Sequence, residues 1–193
     1  MSVNRSHSSP TALRRQMQIE DCLYENLLHT NWQSISVADI CRQVGISRKA
    51  YYNYYRDKYD CFASYVDRLL RECILYVTRN LPDNPTKLDT AVVMLDYWKD
   101  KKDFLDVVIR NNLLYTLMTR SIEYAVIEDR NILDQLSTPE VESDSDIVAC
   151  FTSIQMTLIL CWYGRDFDTP TEEMAKKFLR LLHKPLVPGP ETI

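Results

Sequence analysis

The chain has 193 residues, a length that fits one compact unit or a small module on a larger body. Its 46% hydrophobic and 26% charged residues are typical of a globular protein and exclude a disordered chain. The longest apolar stretch, residues 147–163, is interrupted by polar side chains, and the polar N-terminus has no signal-peptide core. We therefore expect a cytoplasmic protein that does not enter a membrane.

Charge is unevenly distributed along the chain. Residues 1–58 carry eight Lys/Arg against five Asp/Glu, a balance of +3, whereas the remainder carries 15 against 22, a balance of −7. The positive N-terminal part is the candidate for contact with phosphates. The six cysteines are scattered without a CxxC pair or a nearby histidine, so we predict buried free thiols, no metal and no cofactor.

Helical patterns succeed one another along the chain, and only three glycines interrupt them, which predicts an all-α fold of about nine helices. The first helix is expected over residues 10–29, followed by a two-turn helix that Ser36 caps and that ends at Gly45. Ser47 caps the next short helix, and Asp57 caps a long helix that reaches about residue 80. The later helices are expected at residues 86–100, 102–109, 111–134, 143–164 and 170–183.

The break at residues 81–85, which contains two prolines, separates an N-terminal part from a helical body. We expect a DNA-binding domain at residues 1–57, a regulatory and dimerisation domain at 58–184, and a flexible tail at 185–193.

Residues 37–55 carry the functional signal, because they predict two short helices joined by a tight turn at Gly45. If Tyr51 and Tyr55 close a small core, the first turns of the second helix face outward, and a helix that enters a major groove in this way presents side chains to bases and phosphates. Arg48 and Lys49 can donate to guanine, with Arg48 the better specificity residue. The predicted DNA-binding residues are Ser36, Ser47, Arg48, Lys49, Tyr52, Asn53, Tyr54 and Lys58.

The run from Ser36 to Lys58 resembles the DNA-binding motif of the tetracycline-repressor (TetR) family. The resemblance rests on the cap, Asp39-Ile40, the Val-Gly-Ile-Ser run at 44–47, and Tyr52, with an aromatic residue at 55 and lysine at 58. With the preceding helix it covers about residues 11–62. Tyr55 stands where phenylalanine is commoner, and Lys49-Ala50 replaces small residues, so the operator sequence does not carry over.

The resemblance implies a homodimer joined through the last two helices, and the apolar faces of both helices agree with this. The alternative is that these helices only complete the core of one subunit. The predicted interface residues are Ile147, Phe151, Ile154, Leu158, Cys161, Met174, Phe178 and Leu181.

The resemblance also implies a small-molecule effector that binds within the middle helices and changes the fit of the dimer to its operator. Neither the identity of the effector nor the operator follows from the sequence. The residues predicted to line the pocket are Tyr97, Trp98, Tyr115, Met118, Tyr124, Met156 and Trp162, although each is also an ordinary core residue type.

No nucleophile elbow, phosphate-binding loop or metal-ligand helix occurs in the sequence, and the three histidines lie in or beside presumed helix ends and loops. We therefore expect a transcriptional regulator, most simply a repressor, and no enzyme. The alternative is a helical interaction module or co-activator that binds a partner protein, with DNA binding secondary.

Overall fold

The computed structural model describes residues 9–128 and 145–183, and in these residues it contains nine α-helices and no β-strand. The predicted all-α fold is confirmed. The helices are α1 (Pro10–His29), α2 (Val37–Val44), α3 (Arg48–Tyr52), α4 (Lys58–Asn80), α5 (Lys87–Lys99), α6 (Lys102–Arg110), α7 (Leu114–Glu128), α8 (Ser145–Tyr163) and α9 (Thr171–His183), with a 3-10 helix at Trp32–Ser34.

The described residues divide into two compact units, one formed by residues 9–68 and 106–117 and the other by residues 69–105 and 118–183. The first unit contains α1 to α3, and the second contains α5, α8 and α9, while α4, α6 and α7 contribute residues to both. The predicted tail at 185–193, and the predicted helical residues 129–134 and 143–144, lie outside the described residues.

The predicted helix starts reflect local hydrogen bonds. The hydroxyl of Ser47 accepts from Ala50 N at 3.1 Å, and the carboxylate of Asp57 accepts from Asp60 N at 2.8 Å. Thr86 forms a capping box with Asp89 at the start of α5. These short-range contacts satisfy amides that the helix itself leaves unpaired.

One predicted helix start was wrong. The helix expected from residue 111 begins at Leu114, because Asn112 has a φ of 56° and Leu113 N donates to Val108 O, which ends α6 first.

The second unit has an aromatic core between α5, α8 and α9. Phe151 of α8 and Phe178 of α9 meet edge to face, with ring centroids 5.3 Å apart. Trp98 and Trp162 are fully buried, and the indole nitrogen of Trp162 donates to Thr169 O. This core positions α8 and α9.

Candidate nucleic-acid interface

The turn between α2 and α3 has the geometry of a helix-turn-helix. Ser36 and Asp39 form a capping box at the start of α2, and Gly45 ends that helix with φ 71° and ψ 40°. Ile46 N then donates to Cys41 O at 2.9 Å, which closes the turn. Because the left-handed conformation at residue 45 costs a residue with a Cβ more than it costs glycine, the sequence favours the turn here.

A small nucleus holds α3 in place. Tyr51 and Tyr55 are almost fully buried, as predicted, and so are Ile40 and Cys41 of α2. The hydroxyl of Tyr51 donates to Asp57 O at 3.1 Å, so this buried phenol has a partner. Burial raises the pKa of both phenols well above their usual value, and they therefore remain neutral donors.

With the nucleus turned inward, the residues predicted to bind DNA lie on the outside. Arg48, Lys49 and Asn53 are exposed, and the ring of Tyr52 is 55% exposed. Ser36 and Ser47 are also exposed, although their hydroxyls cap α2 and α3, and Tyr54 is half-buried. Arg48 and Lys49 form no hydrogen bond or ion pair with a described residue, so both cations are available to an anion.

Lys58 is placed differently from its prediction. Its ammonium donates to the carbonyl oxygens of Trp32 and Ile35, the latter at 2.6 Å, and lies 4.4 Å from the Trp32 ring centroid. This partial burial lowers the pKa of the lysine. Because its protons point at carbonyl groups of the protein, Lys58 is directed toward the 3-10 segment, and this geometry does not support the predicted phosphate contact.

Glu20 is a buried carboxylate that the sequence analysis missed. It lies on α1 with 4% of its surface exposed, and one of its oxygens accepts from Tyr55 Oη at 2.8 Å and from Ser64 Oγ at 2.5 Å. Its other oxygen pairs with Arg68 Nε at 3.0 Å. The signal in the sequence was a glutamate within the apolar stripe of α1, beside Ile19 and one turn before Leu23.

The predicted pocket residues have mixed environments. Four are buried in the core of the second unit (Tyr97, Trp98, Met156 and Trp162), and Met118 and Tyr124 are half-buried. Tyr115 belongs to the first unit and is 81% exposed, which argues against a place in an enclosed pocket. A surface groove between the start of α5 and α9 is lined by other residues, Leu88, Glu173, Lys176, Lys177, Leu179 and Arg180.

The predicted interface residues also separate into two groups. Phe151, Met174 and Phe178 are buried within the second unit, so the structure assigns them to the core of one subunit and corrects the prediction. The outer face of α8 remains uncovered, with Ile147 and Cys161 exposed and Ile154 and Leu158 half-buried, and Leu181 is exposed on α9. The division arises because a helix that is apolar all round has one side in its own core and another at the surface.

By length and composition, α8 is also apolar enough to cross a membrane, which the sequence analysis did not expect. A third of its most apolar window is buried inside the protein. A single helix of this kind is weak evidence for a membrane, because core helices of soluble proteins pass the same test.

A helix-turn-helix with an exposed cationic second helix, followed by an all-α body, defines a DNA-binding transcriptional regulator. Residues 86–184, 99 of the 193, match a TetR-type family model described as the transcriptional regulator C-terminal region. The chain belongs to the TetR family of transcriptional regulators. None of the curated proteins matches the sequence.

Solved structures share this fold at low sequence identity. A TetR-family transcriptional regulator from Syntrophomonas wolfei is 15% identical with a TM-score of 0.60, over 91% of this chain and 97% of that chain. The fatty acid degradation regulator FadR from Bacillus halodurans is 14% identical with a TM-score of 0.57, over 94% and 98%. The repressor FadR from Thermus thermophilus, solved in complex with lauroyl-CoA, is 15% identical with a TM-score of 0.55, over 90% and 99%.

Proposed function

We propose that the protein is a homodimeric repressor that binds a double-stranded DNA operator through α3 and that a small-molecule effector modulates this binding. The observation that carries the proposal is the exposure of Arg48 and Lys49 on a short helix whose opposite side is held by Tyr51 and Tyr55. In this proposal the protein acts in the cytoplasm, outside any membrane, and has no enzymatic activity.

Two kinds of contact follow from the exposed side chains. Arg48 and Lys49 reach base edges, where a bidentate arginine contact discriminates against a wrong base by about 1–3 kcal/mol. The hydrogen-bond donors around them orient the helix by contacts with phosphates. These donors are Tyr52 and Asn53, with Ser36, Ser47 and Tyr54 at the margins. We infer that the DNA-binding domain comprises residues 1–57 and the regulatory domain residues 58–184.

The uncovered face of α8 supports the homodimer. Ile147, Ile154, Leu158 and Cys161 recur at helical spacing on one side of the helix, and the rest of the described chain leaves each of them at least partly exposed. A second copy of α8 and α9 would cover this apolar face in a four-helix arrangement, with Leu181 at its edge. The dimer would then present two copies of α3 to two half-sites.

The proposed effector binds inside the second unit, near Tyr97, Trp98, Met118, Tyr124, Met156 and Trp162. Large apolar and aromatic side chains favour a ligand with substantial apolar surface. The lauroyl-CoA of the Thermus repressor is one such molecule. A thermal-shift screen with acyl-CoA thioesters and diverse small metabolites tests this part, because a ligand that binds the folded state raises the unfolding temperature.

Fluorescence anisotropy with a duplex from the protein's own promoter region tests DNA recognition. We expect binding that weakens steeply with salt and a loss of sequence preference in Arg48→Ala. Arg42→Ala is the matched control, because Arg42 is also exposed but is paired with Asp39. Salt-insensitive binding, or a sequence preference that survives Arg48→Ala, would refute the role of α3.

Light scattering of the purified protein tests the dimer. Ile147→Glu combined with Ile154→Glu should yield monomers, whereas Ile127→Glu, at an exposed isoleucine of α7, should leave the dimer intact. A wild-type monomer, or a dimer that survives the double substitution, would refute the proposed interface. If the protein is also indifferent to DNA, the alternative of a partner-binding interaction module becomes the better explanation.

A further inference from the structure

The arginines and lysines of the first unit divide sharply by whether they have a partner. Its described residues contain nine such side chains. Five are engaged with carboxylates or backbone carbonyls: Arg42, Arg56, Lys58, Arg68 and Arg110. The remaining four form no hydrogen bond or ion pair with a described residue, and they are Arg14, Arg15, Arg48 and Lys49.

These four cations occur in two places. Arg48 and Lys49 begin α3, whereas Arg14 and Arg15 lie in the first two turns of α1, a segment in which no residue is buried. Its first turn carries no acidic residue, and Glu20, the first carboxylate of α1, is buried and paired with Arg68. A positive charge at Arg14 or Arg15 therefore has no neighbouring carboxylate within the same segment of helix to neutralise it.

A direct contact connects this segment to the residues that follow α3. Tyr55, three residues after α3, places its hydroxyl 3.5 Å from Gln16 O and 2.8 Å from the carboxylate of Glu20. Arg15 precedes Gln16 by one residue, about 1.5 Å along the helix axis. The first turns of α1 thus lie beside the residues that follow α3, in the same compact unit as Arg48 and Lys49.

We propose that Arg14 and Arg15 bind DNA phosphates beside the site that α3 reads. This inference rests on the proposed operator binding and adds a second, sequence-independent anchor to it. A phosphate contact positions the protein and releases counterions but carries no base information. Arg14 and Arg15 are therefore positioning residues, and their loss should weaken binding to every sequence alike.

The test measures the salt dependence of binding for the full-length protein. Fluorescence anisotropy with a 30-base-pair random-sequence duplex, repeated with the promoter duplex, gives the slope of log affinity against log salt. Because each lost phosphate contact lowers the slope by about 0.9, Arg14→Ala combined with Arg15→Ala should lower it by about 1.8 for each subunit bound. The preference for the promoter duplex should not change.

Two controls separate charge from folding. Arg14→Lys combined with Arg15→Lys keeps both charges and should keep most of the slope, whereas Arg42→Ala, which removes a paired arginine, should leave the slope unchanged. A thermal unfolding curve of the double alanine variant that matches wild type excludes a folding defect as the cause of weaker binding.

The outcomes distinguish this inference from the function on which it rests. An unchanged slope in the double alanine variant, while Arg48→Ala still loses sequence preference, overturns the role of Arg14 and Arg15 alone. A change in sequence preference also overturns it, because the side chains would then contact bases. A wild-type protein that binds neither duplex refutes the proposed function.

Discussion

Substituting Glu20 by alanine tests whether its buried carboxylate stabilises the first compact unit. The substitution removes the acceptor of Tyr55 and Ser64 and the partner of Arg68. Breaking a buried ion pair from one side costs about 3–5 kcal/mol. Because Arg68 keeps Asp21 as a second partner and is itself 19% exposed, we expect the lower end, a loss of about 3 kcal/mol.

Urea unfolding followed by circular dichroism measures this loss. With a slope of about 2 kcal/mol per molar urea, the midpoint should fall by about 1.5 M. Hydrogen exchange of the α1 amides should accelerate in parallel, since these amides belong to the same unit. Glu20→Gln, which keeps an acceptor oxygen but loses the charge, should fall between wild type and Glu20→Ala.

Arg42→Ala provides the comparison with a surface pair. Arg42 and Asp39 are both substantially exposed, so its removal should change the free energy of unfolding by less than about 0.5 kcal/mol. A loss below about 1 kcal/mol for Glu20→Ala would refute the reasoning, since it would mean that water or a shift of α1 replaces the missing carboxylate.

Three further perturbations follow from the geometry. Gly45→Ala should destabilise the protein by about 1–2 kcal/mol in urea unfolding, because a Cβ there meets no atom within 4 Å and the cost comes from the positive φ alone. Hydrogen bonds from Thr86 lower the pKa of Asp89. Its carboxylate therefore stabilises the fold above its unfolded pKa of 3.8 and loses that effect as the pH falls through its folded pKa. The difference in urea midpoint between wild type and Asp89→Asn should accordingly shrink between pH 5 and pH 2. Exposed Cys150 and Cys161 should react quickly with a thiol reagent at low protein concentration, and both should be protected as the proposed dimer covers the outer face of α8. Buried Cys61, whose pKa is raised by burial, should react only on unfolding.

Features specified by neighbouring residues could be predicted from the sequence. The capping box of Ser36, the glycine turn and the cap of Ser47 each depend on side chains within four residues of the backbone that they satisfy. The inward position of Tyr51 followed from helical spacing in the same way. These local rules were sufficient to place Arg48 and Lys49 on the outside of α3.

Features that depend on distant residues were missed. Lys58 bonds to carbonyl groups of residues 26 and 23 positions before it, and Glu20 bonds to side chains 35 and 44 positions after it. The apolar stripe of α1 signalled that Glu20 is buried, but no pattern along one helix identifies partners so distant in the sequence. The sequence analysis predicted that Lys58 binds DNA and did not single out Glu20, whereas the structure shows both bonded to other parts of the first unit.

The outer face of α8 shows why a hydrophobic stripe alone does not identify a dimer interface. Phe151 and Ile154 belong to the same three-four pattern, yet Phe151 meets Phe178 inside the unit whereas Ile154 is only half-buried. A bilayer could also cover an apolar face, but the inner side of α8 carries Thr152 and Gln155, whose polar groups bond to Val148 O and to the sulfur of Met94. The bond from Gln155 to Met94 ties this side of α8 to α5. In the proposed homodimer, a second copy of the opposite face covers the apolar side chains that the described residues leave exposed.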